Sequence, residues 1–293
     1  MTGPGISRRG LAGGGAAALC LGRARPAGSA PAPQGARPMR IASLFPCVDA
    51  ILLRIADPGQ IAGLSRLAHE AEVSSVATAA SAYPSVADNA EALLALRPDL
   101  VVVSAYTARP TLDSLRRAGV RVLEVAPQLT VEDSLTQVQA VADAIGQGTR
   151  GRDLTARVRA ALDRAGPATA ARPRALVFQN AGFVAGTGTL IDDMLQRTGF
   201  RNMAGAYGLH GFGDIALERV VADPPDVLLA GLPGPGVPSW GDRVLRHPAL
   251  LKLADRMRIA PFPQGLLLCG GPVLLQTAPR LAALHRQVTG GRA

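Results

Sequence analysis

A short pattern occurs twice in this sequence and restricts the folds that are open to it. In each copy a glutamate, Glu91 or Glu218, precedes a Pro-Asp pair by the same spacing, and an apolar run follows directly. Proline disfavours a helix before it, and a short continuous apolar run is typical of a strand buried in a parallel sheet. The pattern therefore predicts a helix, a tight turn and a buried strand in each half. The alternative is coincidence, because such turns are common in α/β proteins.

Short β-rich runs alternate with helical segments along the chain. The runs are residues 40–44, 61–64, 100–103, 120–125, 175–178 and 227–229. Such alternation favours parallel sheets covered by helices on both faces. We therefore predict an α/β protein with two Rossmann-like lobes and short, mainly parallel sheets. The N-terminal lobe takes residues 39–129 and the C-terminal lobe residues 167–293.

The segment between the lobes has a helical pattern. Thr130 begins a capping-box-like motif, and apolar residues follow it at spacings of three and four. Gly146 and Gly148 interrupt this pattern. We predict a single long connecting α-helix over 130–166 that is kinked or broken near these glycines.

The N-terminus has the pattern of an export signal. Arg8 and Arg9 form a twin-arginine motif, and the apolar run over 11–22 is too short for a membrane span, which needs about 20 residues. We predict a signal peptide over 1–29, a flexible Pro-rich lead over 30–38, and a mature protein in the bacterial periplasm. The alternative is a disordered tail rich in Arg, Gly, Ala and Pro.

The distribution of charge argues against several functions. The formal net charge is +9, and removal of residues 1–29 with their four arginines leaves +5. The remaining arginines are scattered and aromatic residues make up only 3% of the chain, whereas a nucleic-acid surface combines a basic stripe with stacking rings. Lys252 is the only lysine, which excludes the lysine-containing phosphate loop and the kinase motif. We expect a mildly basic globule that does not bind nucleic acid.

Taken together, these segments resemble one family of proteins. The export signal, the two α/β lobes and the paired Glu…Pro-Asp units are similar to those of periplasmic solute-binding proteins that serve ABC importers of iron-siderophores, cobalamin and haem. The resemblance covers roughly residues 38–290 and is carried by residues 40–46, 61–66, 89–102, 199–202 and 215–227. It implies a protein that captures a metal chelate, with no resident cofactor, no protein-bound metal and no catalytic residues.

The resemblance also implies a ligand site in a cleft between the lobes, at the loops that follow the strands. Arginines there suit anionic groups of a chelate, and aromatic side chains suit a flat or bulky ligand. The candidate ligand-binding residues are Arg66, Tyr83, Tyr106, Arg109, Phe183, His210 and Trp240. For each of them, surface cover or the edge of a core is the alternative role.

A second implied site concerns the transporter. In the family that this chain resembles, one acidic residue on each lobe meets arginines of the dimeric ABC permease. Glu91 and Glu218 occupy the matching positions, so we expect them to dock the protein on the permease, its only contact with the membrane. The alternative is that both are solvated helix glutamates favoured by the helix dipole.

Enzymatic function is the main competing interpretation. The segment Gly186-Thr-Gly188-Thr gives some support to a nucleotide- or cofactor-dependent α/β enzyme exported to the periplasm, but no third glycine follows and the chain has no Gly-x-Ser-x-Gly motif. The four histidines form no evident metal site, although haem ligation by one tyrosine or histidine stays open. We expect a binding protein without substrate turnover.

The three cysteines leave two questions open. Cys20 lies in the export signal, where Leu19 fits a lipobox poorly, so lipidation is undecided. Cys47 and Cys269 fall in different predicted lobes. They form either one disulfide or two unpaired, mostly buried thiols.

Overall fold

Two β-sheets with surrounding helices make up the fold, and the first contains only parallel pairs. The computed structural model describes residues 37–167, 169–179, 183–232, 247–253 and 255–290. The first sheet consists of β1 (Ile41–Ser43), β2 (Ile61–Ser65), β3 (Ser85–Val86), β4 (Leu100–Ser104) and β5 (Arg121–Val125), in the order β3-β2-β1-β4-β5. Its helices are α1 (Pro46–Ile55), α2 (Ala77–Ala80), α3 (Ala90–Ala95) and α4 (Arg109–Arg117).

The second sheet is mixed. It consists of β6 (Arg174–Phe178), β7 (Phe183–Ala185), β8 (Arg201–Asn202), β9 (Phe212–Asp214), β10 (Val227–Leu232) and β11 (Arg258–Pro263). The order is β11-β10-β6-β7-β9, with β8 beside β6, and β7 runs antiparallel to both of its neighbours. The predicted two-lobe α/β fold with mainly parallel sheets is confirmed.

The segment between the sheets differs from the expected single helix. It forms two helices, α5 (Val131–Ala144) and α6 (Gly148–Arg164), which fold back on each other, because Arg159 of α6 lies 2.7 Å from Glu132 at the start of α5. Gly146 ends α5 in the left-handed conformation with φ +71°, which favours glycine. The predicted break is therefore a full reversal of direction.

The remaining helices cover the second sheet. They are α7 (Leu190–Arg197), α8 (Leu217–Ala222), α9 (Pro248–Leu251) and α10 (Leu274–Gly290). In the part of the chain described, no helix is long and apolar enough to cross a membrane.

One apolar cluster extends from the first sheet to the second through the helices between them. Val102 of β4 and Val177 of β6 belong to it, together with Val138 of α5, Val158 of α6 and Leu281 of α10. All five are almost fully buried. The burial of apolar surface therefore stabilises both lobes as parts of a shared core.

The two copies of the Pro-Asp pattern have the same structural role. The Asp99 carboxylate accepts hydrogen bonds from the backbone amides of Met39 (2.8 Å) and Arg40 (3.1 Å), at the start of β1. The Asp226 carboxylate accepts one from the amide of Arg174 (2.7 Å), at the start of β6. The sequence repeat thus corresponds to a repeated structural unit, which holds the backbone at the N-terminal end of one central strand in each sheet.

Candidate functional site

Several candidate residues of the first lobe lie where parallel strands end. Arg66 directly follows β2, and Tyr106 and Arg109 follow β4. Tyr83 lies beside the end of β2, because the next residue, Pro84, accepts a hydrogen bond from the amide of Leu64 (2.9 Å). Open α/β sheets bind ligands beyond the carboxyl ends of their strands, so these four side chains lie at the edge where a ligand is expected.

The four side chains differ in their freedom to meet a ligand. Tyr106 is 81% exposed. Arg109 is also exposed, and its side chain makes no hydrogen bond or ion pair with another residue in the described ranges. Arg66 forms an ion pair with Glu70, one helical turn away, and Tyr83 packs partly buried against the core. Tyr106 and Arg109 can therefore accept a ligand without breaking an existing contact.

A buried carboxylate supports the end of β2. Asp49 of α1 is fully buried and accepts hydrogen bonds from the backbone amide (3.1 Å) and the hydroxyl of Ser65. Burial raises the pKa of Asp49 to about 7, and the hydrogen bonds from Ser65 oppose that rise. Because Ser65 precedes Arg66, Asp49 fixes the backbone from which Arg66 projects.

An exposed aromatic pair marks the second lobe. The rings of Phe183 on β7 and Phe212 on β9 stack at 5.7 Å with an interplanar angle of 10°, and their residues are 44% and 50% exposed. The two residues are diagonal neighbours on one face of the antiparallel pair, since Phe183 faces Asp214 and Phe212 faces Ala185. The result is a flat apolar surface open to solvent.

His210 lies next to this pair and belongs to the turn that the sequence suggested as a nucleotide motif. Its Nδ1 lies 2.6 Å from the hydroxyl oxygen of Thr187. In the same segment, Thr189 caps α7 by accepting a hydrogen bond from the amide of Asp192 (3.2 Å), and Gly188 has φ +76°. A Cβ atom on Gly186 would come within 2.6 Å of the carbonyl oxygen of Leu209. These glycines are thus explained by a tight turn into a helix.

Phe212 belongs to the exposed aromatic pair but was not among the candidate residues. The candidate Trp240 lies outside the described residues. In those ranges, no group of three or more His, Cys, Asp or Glu residues could hold a metal ion.

Cys47 and Cys269 are joined by a disulfide, with Cα atoms 5.2 Å apart. Cys47 lies in the first turn of α1, two residues after Phe45, and Cys269 follows β11 in the chain. The bond settles the question that the sequence left open. It also shows that the segments following strands of the two sheets adjoin at this point.

A cavity of about 400 Å³ also lies between segments of the two lobes. One wall is formed by Glu72, Ser74 and their neighbours, and the other by Phe262 and by Arg280, whose guanidinium lies over the Phe262 ring. The first-lobe segment around Ser75 and the second lobe approach closely here, since a Cβ atom on Gly265 would lie 2.7 Å from the amide nitrogen of Ser75. The volume is within the range of small-molecule sites.

The two glutamates expected at the permease occupy corresponding helices. Glu91 lies in the first turn of α3 and Glu218 in the first turn of α8. Both are exposed, and neither forms an ion pair with another residue in the described part of the chain. The helices α3 and α8 precede β4 and β10 respectively, each through a Pro-Asp turn.

Comparisons with known proteins agree with this architecture. The family model described as periplasmic binding protein matches residues 41–254. A cobalamin-binding protein from Halobacterium salinarum is 26% identical over 200 residues, which make up 67% of this chain and 54% of that protein. The chain therefore spans about half the length of the curated relatives that it matches.

Solved structures with this fold include proteins of similar size. A periplasmic heme-binding protein from Roseiflexus sp. RS-1 is 25% identical, with a TM-score of 0.67 over 85% of this chain and 98% of the other. A periplasmic heme-binding protein from Pseudomonas aeruginosa is 26% identical, with a TM-score of 0.63 over 85% and 92% of the two chains.

Proposed function

Because this chain belongs to the periplasmic binding protein family, we propose that it captures a metal chelate between its two lobes and delivers it to an ABC importer. Its relatives are binding proteins, so the chain is a binding protein and not an enzyme. The observation that carries the proposal is the exposed Phe183–Phe212 stack. An open pair of parallel rings at the edge of a sheet suits a large flat ligand.

Haem and cobalamin are the chelates that the site chemistry favours, with ferric siderophores as a third class. Both carry a broad macrocycle that offers apolar area to Phe183, Phe212 and Tyr106. Haem also carries carboxylates, which suit charge-assisted hydrogen bonds from Arg66 and Arg109. Tyr83 or His210 supplies an oxygen or nitrogen atom for an iron ligand. The named relatives bind heme and cobalamin, which supports this choice.

The proposal includes the cellular route. Residues 1–29 act as a twin-arginine signal, the mature protein works in the periplasm, and Glu91 and Glu218 meet the permease. Trp240 belongs to the proposed ligand site on the strength of its sequence position alone.

The test is a titration of the protein with haemin, cyanocobalamin and a ferric siderophore, in which binding is monitored by absorbance and by tryptophan fluorescence. Phe183→Ala combined with Phe212→Ala should weaken binding of the preferred probe tenfold or more, because the ligand loses both its aromatic contact and the apolar area beneath it. Leu251→Ala is the matched control, since Leu251 is 57% exposed on α9 and should leave affinity unchanged. Absence of binding by the wild-type protein, or equal affinity of the double variant, would contradict the proposal.

A further inference from the structure

A segment of the second lobe is anchored in the first at three consecutive residues. Cys269 is bonded to Cys47, the amide of Gly270 donates to the Gln128 side chain (2.9 Å), and the amide of Gly271 donates to the Ser134 hydroxyl (3.1 Å). The disulfide is buried, with its two residues 4% and 5% exposed. One covalent bond and two hydrogen bonds therefore fix this segment against α1, α5 and the loop that precedes α5.

The backbone of this segment packs closely against α5. A Cβ atom on Gly270 would lie 2.3 Å from the Cβ atom of Ser134, and one on Gly271 would lie 2.9 Å from a methyl carbon of Val138. The Gln128 side chain is itself held by a hydrogen bond to Gln137. The second-lobe backbone thus sits in a slot that only glycine fits.

A short chain of contacts connects the disulfide to the candidate site of the first lobe. Cys47 and Asp49 share the first turn of α1, and Asp49 accepts hydrogen bonds from Ser65, which precedes Arg66. A change in the position of α1 would therefore move the backbone that carries Arg66.

A corresponding chain leads to the candidate site of the second lobe. Gln264, five residues before Cys269, donates a hydrogen bond to the Gln179 side chain (3.0 Å), and the Gln179 amide donates to the carbonyl oxygen of Phe183 (2.7 Å). Gln264 and Gln179 are both buried. The disulfide thus lies between the supports of Arg66 and of Phe183.

We infer that the Cys47–Cys269 disulfide is a positioning element for ligand capture, which fixes the spacing between the Arg66 side and the Phe183 side of the site. This inference rests on the proposed function. The oxidised protein holds both halves of its site in place before the ligand arrives, so binding does not have to order them. Without the covalent bond, this segment keeps two neutral hydrogen bonds and its packing against Ser134 and Val138, which are non-covalent contacts that can open and close.

The test compares the oxidised wild-type protein with Cys47→Ser combined with Cys269→Ser. The double variant should keep its far-ultraviolet circular dichroism and bind haemin or cyanocobalamin at least tenfold more weakly, mainly through faster dissociation. Hydrogen exchange of the Gly270 and Gly271 amides should become faster. Asp99→Asn is the matched control: it weakens a contact at the opposite ends of the strands, so it should lower the melting temperature and leave affinity unchanged.

Reduction of the folded wild-type protein provides a second measurement should the variant fold poorly. A phosphine reductant supplies two electrons to the S–S bond, which yields two thiols, while phosphorus takes an oxygen atom from water and becomes the phosphine oxide. Affinity should fall on reduction and return on reoxidation. Unchanged affinity together with unchanged exchange at Gly270 and Gly271 would overturn the inference. If no probe binds the wild-type protein, the proposed function fails. The hydrogen-exchange rates of Gly270 and Gly271 still decide whether the disulfide holds this segment in place.

Discussion

The carboxylate of Asp49 lies buried beneath the loop that presents Arg66, and its protonation is coupled to folding. Its pKa is raised from 3.8 to about 7 in the folded protein, chiefly by burial. Between these values the folded state holds more protons than the unfolded state, so this group makes stability fall as pH rises from about 4 to about 7. Above pH 7 its contribution no longer changes. Each unit of pKa difference corresponds to about 1.4 kcal/mol, which sets the effect at a few kcal/mol.

Asp49→Asn should remove this dependence. The neutral amide keeps an oxygen for the Ser65 amide but does not titrate, so the free energy of unfolding should fall less between pH 4 and pH 7 than in the wild-type protein. Urea unfolding at several pH values measures the difference. Asp153→Asn, an exposed change on α6, should leave the wild-type slope in place. An identical slope for Asp49→Asn would show that Asp49 does not govern it.

Single residues of the candidate site were predicted from sequence unevenly, for a physical reason. Tyr106 and Arg109 were identified because they directly follow an apolar run that reads clearly as a strand. Phe212 was missed because it stands between Gly211 and Gly213, where no alternation of apolar and polar residues indicates a strand. Its contact with Phe183 depends on the register of an antiparallel pair, which sequence spacing does not specify.

At the scale of elements, the buried strands with long apolar runs were predicted, and the short strands of the second sheet were not. The runs at 100–103 and 175–178 correspond to β4 and β6. The strands β7, β8 and β9 have two or three residues each, too few to show a period. β11 contains Pro261 and Pro263, which argue against a strand, and it forms at the edge of its sheet, where proline is tolerated. The reversal between α5 and α6 was missed because a glycine pair is compatible with a kink as well as a turn.

The repeated Asp units should contribute similarly to stability. Asp99→Ala removes the acceptor for the amides of Met39 and Arg40, and Asp226→Ala removes the acceptor for the amide of Arg174. Hydrogen bonds to a charged group contribute about 1.5–3 kcal/mol, so each variant should lower the free energy of unfolding by roughly that amount.

Chemical denaturation of the two variants provides the measurement, with Asp113→Ala on the exposed side of α4 as the control. A lower free energy of unfolding in only one of the two variants would show that the two Asp units are equivalent in geometry but contribute unequally to stability.

At the scale of the whole molecule, the repeat gives both lobes an exposed glutamate on a corresponding helix. A ligand carrier with two related lobes can dock on a two-fold symmetric permease through both contacts together. Such charge pairs set orientation and the rate of encounter more than they add affinity. Glu91 and Glu218 suit this role because no other described residue neutralises them.

Glu91→Arg combined with Glu218→Arg should therefore abolish ligand uptake by cells while the affinity for ligand and the melting temperature stay unchanged. Asp153→Arg combined with Asp163→Arg makes the same change of charge on exposed positions of α6 and should transport normally. Uptake is followed with radiolabelled or spectroscopically detected ligand. Normal transport by the glutamate variant would assign both residues to the solvated surface.

The disulfide also imposes an order on biosynthesis. Its two cysteines are 222 positions apart in the chain, so Cys47 is made long before its partner exists. At 5–20 residues per second, the ribosome needs roughly 10 to 45 seconds to reach Cys269. During that interval Cys47 has no correct partner, and the bond can close only after both sheets have been synthesised. Its formation therefore reports that the chain has been translated past Cys269 and that the two lobes have met.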